Sequence, residues 1–406
     1  MDQNPGPTPP RAAVLAVRST KAQFFLSFAV LGAFFPYLPV YLREQSLSDT
    51  QIGWVFAASC IPNLLSPFIM TLLADTRLNA RRLLAWLFVL AGFAMGLLFC
   101  ARGFWAILLA YVLHRVMFAG ILPLQDGLNF TLQELRKQRG LDPEPYHRVR
   151  IWGSIGYMVP SFALYFLMAR GYATSISLII AIAVCGLGAA NLLLFLPTLP
   201  NPPAAADQPR LPSLDAMRVL ARPPLRVFCI AMFILWLGIT AWATFYPIYL
   251  KELGVQVKWL GPVSSLSIVV EIAFTAGFGW IVARMGLRRV MLLGVGAAIV
   301  RLFLLAAVKN PAVAIAVQIF HGPWVLALFV APPSFINRNA GDRFRHSLQG
   351  VYAMLISGAA VLVGNLLCGW VKDTRGTAAL FYGASACALV AMILLWVAFH
   401  EEHREA

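Results

Sequence analysis

Charge is scarce in this 406-residue chain, and negative charge scarcest: 12% of residues are charged, 17 acidic against 32 basic. A soluble chain carries about a quarter charged residues, so a large soluble helical protein is excluded. Cysteine is sparse as well. Cys60, Cys100, Cys185, Cys229, Cys368 and Cys387 all lie in apolar runs, with no CxxC and no Cys/His cluster. That excludes a disulfide framework and a zinc site. The first twenty residues, rich in Pro and Gly, have little of a signal peptide: no apolar core and no cleavage site. Residues 1–20 are expected to be a disordered cytoplasmic tail. No nucleophile, metal cluster or catalytic motif stands near one face, so the chain is not read as an enzyme and no prosthetic group is implied.

What the chain has is long apolar runs. Ala85–Ala101 and Ser177–Leu196 contain no charge at all, and such runs approach or cross a hydrocarbon core of about 30 Å. Apolar runs bounded by charge, Pro or Gly give twelve spans: 22–45, 50–74, 83–101, 104–130, 150–169, 174–196, 226–250, 259–283, 289–308, 311–333, 348–371 and 377–399. Pro36 and Pro39 in the first span are tolerable because neighbouring helices can satisfy the freed carbonyls.

The excess of positive charge would suggest nucleic acid in a soluble protein; here it reports orientation instead. Of the Lys and Arg residues, 22 fall in one set of connecting segments and 8 in the other, with Arg115 and Arg301 inside spans. This bias places both termini in the cytoplasm. The expected location is the plasma or bacterial inner membrane, with membrane lipid and a small-molecule substrate as partners and no nucleic acid. One long connector, 197–225, holds eight prolines and reads as a flexible cytoplasmic linker. It separates a six-helix bundle over 21–196 from another over 226–400, followed by a cytoplasmic tail, 401–406.

The two halves answer each other at a shift of 208 residues. Pro39-Val40-Tyr41-Leu42-Arg43-Glu44 aligns with Pro247-Ile248-Tyr249-Leu250-Lys251-Glu252, Gly53 with Gly261 and Arg81 with Arg289. Six spans per half make the repeats parallel. The fold class is therefore an all-α membrane protein of twelve transmembrane helices in two parallel six-helix repeats. Repeats of this kind place substrate between the halves and work by rocking, so a transporter is expected.

Between spans 2 and 3 the chain reads Thr71-Leu72-Leu73-Ala74-Asp75-Thr76-Arg77-Leu78, followed by Arg81-Arg82. Between spans 8 and 9 it reads Gly279-Trp280-Ile281-Val282-Ala283-Arg284-Met285-Gly286-Leu287-Arg288-Arg289. This pair of loops resembles the signature of the major facilitator superfamily. The resemblance implies that Asp75, Arg81, Arg82, Arg284, Arg288 and Arg289 form a cytoplasmic gate.

An ionisable residue mid-span costs about 2.5–3.5 kcal/mol and marks function or pairing. Span 8 sets Ser264, Ser267, Glu271 and Thr275 on one face; span 9 carries Arg301; span 10 carries Gln318 and His321. Span 4 aligns Arg115, Asp126 and Asn129, with His114 beside them, and span 5 aligns Arg150, Ser154, Tyr157 and Ser161. Each could instead be a buried pair holding helices together.

This distribution is similar to the lactose permease branch of the superfamily, the oligosaccharide, nucleoside and phenylpropionate proton symporters. The resemblance implies that Glu271, Arg301 and His321 couple protons, and that Asp126, Arg150 and Tyr157 bind substrate. Arg115, Tyr37 and Gln318 are added as candidate substrate contacts, and Trp242 offers a further aromatic face. One departure stands out: the branch has an acid three residues after the His, where this chain has Trp324.

Burial and a nearby Arg301 pull the proton on Glu271 in opposite directions. Alternate approach and withdrawal of Arg301 would load and unload it. The expected function is thus proton-coupled uptake of a small polar ring solute, such as a nucleoside or sugar, or of an aromatic acid, by alternating access, with protons as the coupling ion. The alternatives are a proton-coupled efflux antiporter and a passive facilitator. The superfamily's antiporters carry a Gly-Pro-rich fifth span, whereas this one reads Gly153-Ser154-Ile155-Gly156 with Pro160 later.

Overall fold

The computed structural model describes residues 10–76, 78–197, 220, 222–340 and 351–398. Every regular element among them is helical. In the first half these are α1 (Pro10–Phe34), α2 (Leu38–Glu44), α3 (Asp49–Ala58), α4 (Cys60–Thr76), α5 (Ala80–Cys100), α6 (Phe104–Phe118), α7 (Ile121–Gln138), α8 (Tyr146–Ala169) and α9 (Ile176–Leu194). In the second half they are α10 (Pro223–Glu252), α11 (Leu260–Ala276), α12 (Phe278–Ala307), α13 (Pro311–Ala316), α14 (His321–Val325), α15 (Ala331–Ala340) and α16 (Ala359–Ala398), with short 3₁₀ or π pieces at 257–259, 317–320, 326–330 and 352–358.

Ten described helical stretches are long and apolar enough to cross a membrane. The last of them, Tyr352–Val397, holds two spans, because Gly376 has φ 81°. That left-handed conformation suits glycine and stops a helix. Gly286, at φ 75°, divides α12 in the same way. With α3 and α4 as a further crossing, the described helices give the expected twelve.

Local chemistry sets the boundaries. Ser48 and Gln51 form a reciprocal capping box at the start of α3. Asn79 accepts from the backbone of Arg81 and Arg82 and opens α5. Pro223 and Pro224 open α10, where their missing N–H groups have no helical partner to lose. Two prolines break the first span at Phe35–Tyr37, whereas its repeat keeps α10 continuous through Pro247.

One expectation is corrected. The first helix begins at Pro10, so residues 10–20, expected in a disordered tail, are helical. Ala12, Ala13, Leu15 and Ala16 are helix formers, and Ser19 donates to Asn191 of α9 at 3.2 Å. The expected linker core at 198–219 and the tail 401–406 lie outside the described residues.

The chain packs as two compact units, Met1–Tyr41 with Ile61–Ala206, and Leu42–Cys60 with Asp207–Ala406. In the first, α1 packs on α8 and α9, and α5 on α9 and α6. In the second, α16 packs against α10, α12 and α3. The contact of α3 with α16 is very close: a Cβ on Gly53 would stand 2.4 Å from the Asn365 carbonyl oxygen, and one on Gly369 would stand 2.6 Å from that of Asp49. Small residues let membrane helices approach to backbone contact.

Candidate functional site

The second unit buries an arginine that has no acid beside it among the described residues. Arg301, on α12, is wholly buried. Its guanidinium lies 4.1 Å from the ring centre of Trp242 on α10 and 4.5 Å from that of Trp324 on α14. Such faces attract a cation through the ring quadrupole, by ~2 kcal/mol or more when water is excluded. Its Nη2 donates to Gln318 Oε1, which also accepts from Ser267 Oγ at 2.8 Å. Trp324 thus takes over, through its π face, part of the compensation that an acid would give.

Arg301 Nη1 lies 3.0 Å from His321 Nδ1. Arginine has no acceptor, so Nδ1 accepts and the ring proton sits on Nε2. That N–H faces Glu271 Oε2 at 3.5 Å, a neutral ring beside a carboxylate at a distance longer than an ordinary hydrogen bond. The order is therefore Arg301, His321, Glu271. In this arrangement the imidazole of His321 stands between Arg301 and Glu271. Exposure also falls along this line: the Glu271 side chain is 38% exposed, His321 10%, and Arg301 none. Three buried donors around the cluster, Arg301 Nε, Trp242 Nε1 and Trp324 Nε1, have no acceptor among the described residues.

The first unit holds a second polar group. Asp126 on α7 accepts from the Tyr146 hydroxyl at 3.0 Å and feels the charge of Arg150. Tyr146 stacks on Phe130, and Arg150 lies 4.1 Å above Phe28. Tyr146 was not anticipated; its signal was its place one turn before Arg150 at the start of α8. Tyr157 lies eleven residues beyond Tyr146, roughly 16 Å along α8, on the face of Arg150 but two turns on. Arg115 donates to Asn63 at 2.6 Å, and Tyr37 is buried. Asn129 is buried and accepts from Gln133. His114 is a buried packing residue, its Nδ1 on the Ala91 carbonyl and its ring against Phe34 and Phe118.

The expected gate arginines fall at helix ends. Arg81 donates to the carbonyl of Leu196, just past α9. Arg288 donates to that of Trp396, near the end of α16, at 2.8 Å. Each ties the start of the third helix of a repeat to the end of the sixth. Arg284 lies over Trp280, Arg289 and Arg82 are exposed, and the Asp75 side chain is outside the described set.

Sequence reasoning missed a charge cluster at the opposite helix ends. Lys372, almost fully buried, lies 2.5 Å from Glu252 and 3.4 Å from Asp49. Arg43 reaches both oxygens of Asp49 at 2.7 and 2.8 Å. Asp373 accepts from the backbone N–H of Asp49 and Thr50, capping α3. Counting charge by side gave these residues no partners; the repeated Arg43-Glu44 and Lys251-Glu252 pairs were the available signal.

A sequence model of the MFS_1 like family matches residues 17–383. The maltose permease of Geobacillus stearothermophilus is 26% identical over 375 residues, covering 92% of this chain and 92% of that protein. The probable 3-phenylpropionic acid transporter of Escherichia coli strain K12 is 28% identical over 381 residues, 91% of this chain and 95% of its own. The crystal structure of the nucleoside transporter NupG superposes with a TM-score of 0.84 at 19% identity, over 95% of this chain and 100% of that one.

Proposed function

This chain belongs to the MFS_1 like family of membrane transporters, and from that premise we propose that it is a proton-coupled symporter taking up a small polar ring solute by alternating access. The observation that carries the reading is the Glu271–His321–Arg301 line, whose members pass from partly exposed to fully buried. A charged Glu271 attracts the Nε2 proton of His321, and His321 in turn accepts from Arg301. A protonated Glu271 releases that pull, so proton occupancy and the arrangement of α11, α12 and α14 are linked. This is the differential interaction that a coupled conformational change requires.

For the solute, Asp126 and Arg150 supply an acceptor and a donor for hydroxyl groups, beside the aromatic rings of Tyr146 and Phe130. The three donors around Arg301 that find no acceptor among the described residues favour a solute rich in acceptors, since buried polar groups ordinarily find partners. Nucleosides and sugars meet both conditions, and two of the three relatives named above, a maltose permease and a nucleoside transporter, carry such solutes in their names.

The test is uptake into proteoliposomes of nucleosides, sugars and aromatic acids, with and without an inward proton gradient. The expected result is gradient-driven accumulation of a ring solute, lost in Glu271→Gln while exchange of solute across the membrane persists. Accumulation unaffected by Glu271→Gln overturns the coupling. Uptake insensitive to the gradient makes the protein a facilitator, and solute loss driven by proton entry makes it an efflux antiporter.

A further inference from the structure

A cavity of about 890 Å³ opens among α11, α12, the 317–330 stretch and the end of α16. Its wall is almost wholly hydrocarbon. Among its lining residues Arg289, Trp280 and Trp396 alone carry polar side-chain atoms, and none carries a carboxylate, hydroxyl or amide side chain. Leu293 and Val300, 55% and 43% exposed, continue it along α12. From Arg289 to Val300 is eleven residues, roughly 16 Å of helix, or about half of the hydrocarbon thickness. The groove therefore has the length of one leaflet and a cation at one end.

That end is built. Arg284 is held 4.8 Å over Trp280, and Arg288 lies 5.5 Å over Trp396 and donates to its carbonyl. Tryptophan favours the membrane–water interface, which sets the level of the three arginines at lipid headgroups. With Arg288 engaged by the backbone, Arg289 is the exposed arginine at the groove's end, on the helix face of Leu293 and Val300 and lining the groove with its stem.

We propose that this groove binds an anionic phospholipid, with one acyl chain along α12 from Leu293 to Val300 and the phosphate on Arg289. A polar solute would find no hydrogen-bonding wall here, and a neutral lipid would leave the arginine charge uncompensated. The inner wall includes Phe274, Phe320 and Pro323, whose neighbours in sequence are Glu271, Gln318 and His321. The Phe274 ring also packs on the backbone of Gly322. A chain in the groove therefore presses on the elements that carry the buried cluster.

The test is native mass spectrometry of delipidated full-length protein offered equal amounts of phosphatidylglycerol and phosphatidylcholine with identical chains. One arginine–headgroup contact, at ~1 kcal/mol, converts to a preference of about fivefold for phosphatidylglycerol. That preference should persist in Arg289→Lys and vanish in Arg289→Gln. Leu293→Trp, which fills the groove, should lower retention of the phosphatidylglycerol adduct. Equal retention of the two lipids by the native protein overturns the proposal, as does a preference that survives Arg289→Gln. Oleate retained as well as phosphatidylglycerol overturns it too, since the phosphate would then add nothing. If either disruptive variant fails to fold, native protein and Arg289→Lys still decide, because both must show the preference.

Discussion

Lys251 pairs with Glu44 at 2.6 Å, and the shift of 208 residues converts that pair into Arg43 and Glu252, 3.7 Å apart. A duplicated segment meets its own copy, residue i on j′ and j on i′, as in a two-fold interface. The pairs are partly exposed, at 34–41% of side-chain area, so each contributes little beyond about 1 kcal/mol.

Charge reversal tests this relationship. Lys251→Glu should lower thermal stability by roughly 1 kcal/mol or less, and adding Glu44→Lys should restore most of it. A double-mutant cycle on the melting temperature reads the coupling; a coupling of zero removes the pair from the fold's support.

Lys372 differs because it is buried. Removing the charge with Lys372→Met leaves Arg43 alone to offset both Asp49 and Glu252, and breaking a buried pair costs up to about 3–5 kcal/mol. A much larger loss of melting temperature is expected than for Lys251→Glu, with partial recovery in Lys372→Met/Asp49→Asn.

Gly53 leaves no room for a side chain. Gly53→Ala places a methyl group within 2.4 Å of the Asn365 carbonyl oxygen, which forces α3 away from α16. Overpacking of this kind costs about 1–3 kcal/mol. Cysteine at position 50 should then be labelled faster by a membrane-impermeant thiol reagent than in the Gly53 protein.

Trp324 gives a graded series. Trp324→Phe keeps a weaker face over Arg301, and Trp324→Leu keeps none. Melting temperature and gradient-driven uptake should fall in that order, with the Phe–Leu difference near 0.5–2 kcal/mol. Equal behaviour of the two would show that volume, not the π face, supports Arg301.

Acid should loosen the tie between α1 and the 139–145 turn. Lys21 donates to Glu144 at 2.6 Å and holds its carboxyl below the ordinary range. The pair's contribution is full above the ordinary carboxylate pKa and is lost as pH falls through the depressed folded value. Protection factors of the Leu141, Asp142 and Glu144 amides should fall in that acid range in the native protein, and in Glu144→Gln they should be low at neutral pH as well.

The twelve spans were legible because a hydrocarbon solvent demands long apolar runs, and Glu271, His321 and Arg301 were legible because charge inside such runs is costly. Their order of contact was not. Spacing along three separate helices does not say that the imidazole lies in the middle, nor that Trp324 turns its ring toward the guanidinium. Lys372 was counted for its side of the membrane, and its two acids became visible only when α3 met α16. The helical start at Pro10 was hidden by a Pro/Gly-rich opening, although Ala12 through Ala16 carried the opposite signal.

An indole disperses a positive charge without cancelling it. Under the proposed coupling, Arg301 and a bare Glu271 sum to zero, and a proton on Glu271 leaves one net positive charge within the membrane. The loaded carrier would then be driven by voltage, by ~2.3 kcal/mol for each 100 mV that the full charge traverses, while the empty one returns electrically silent.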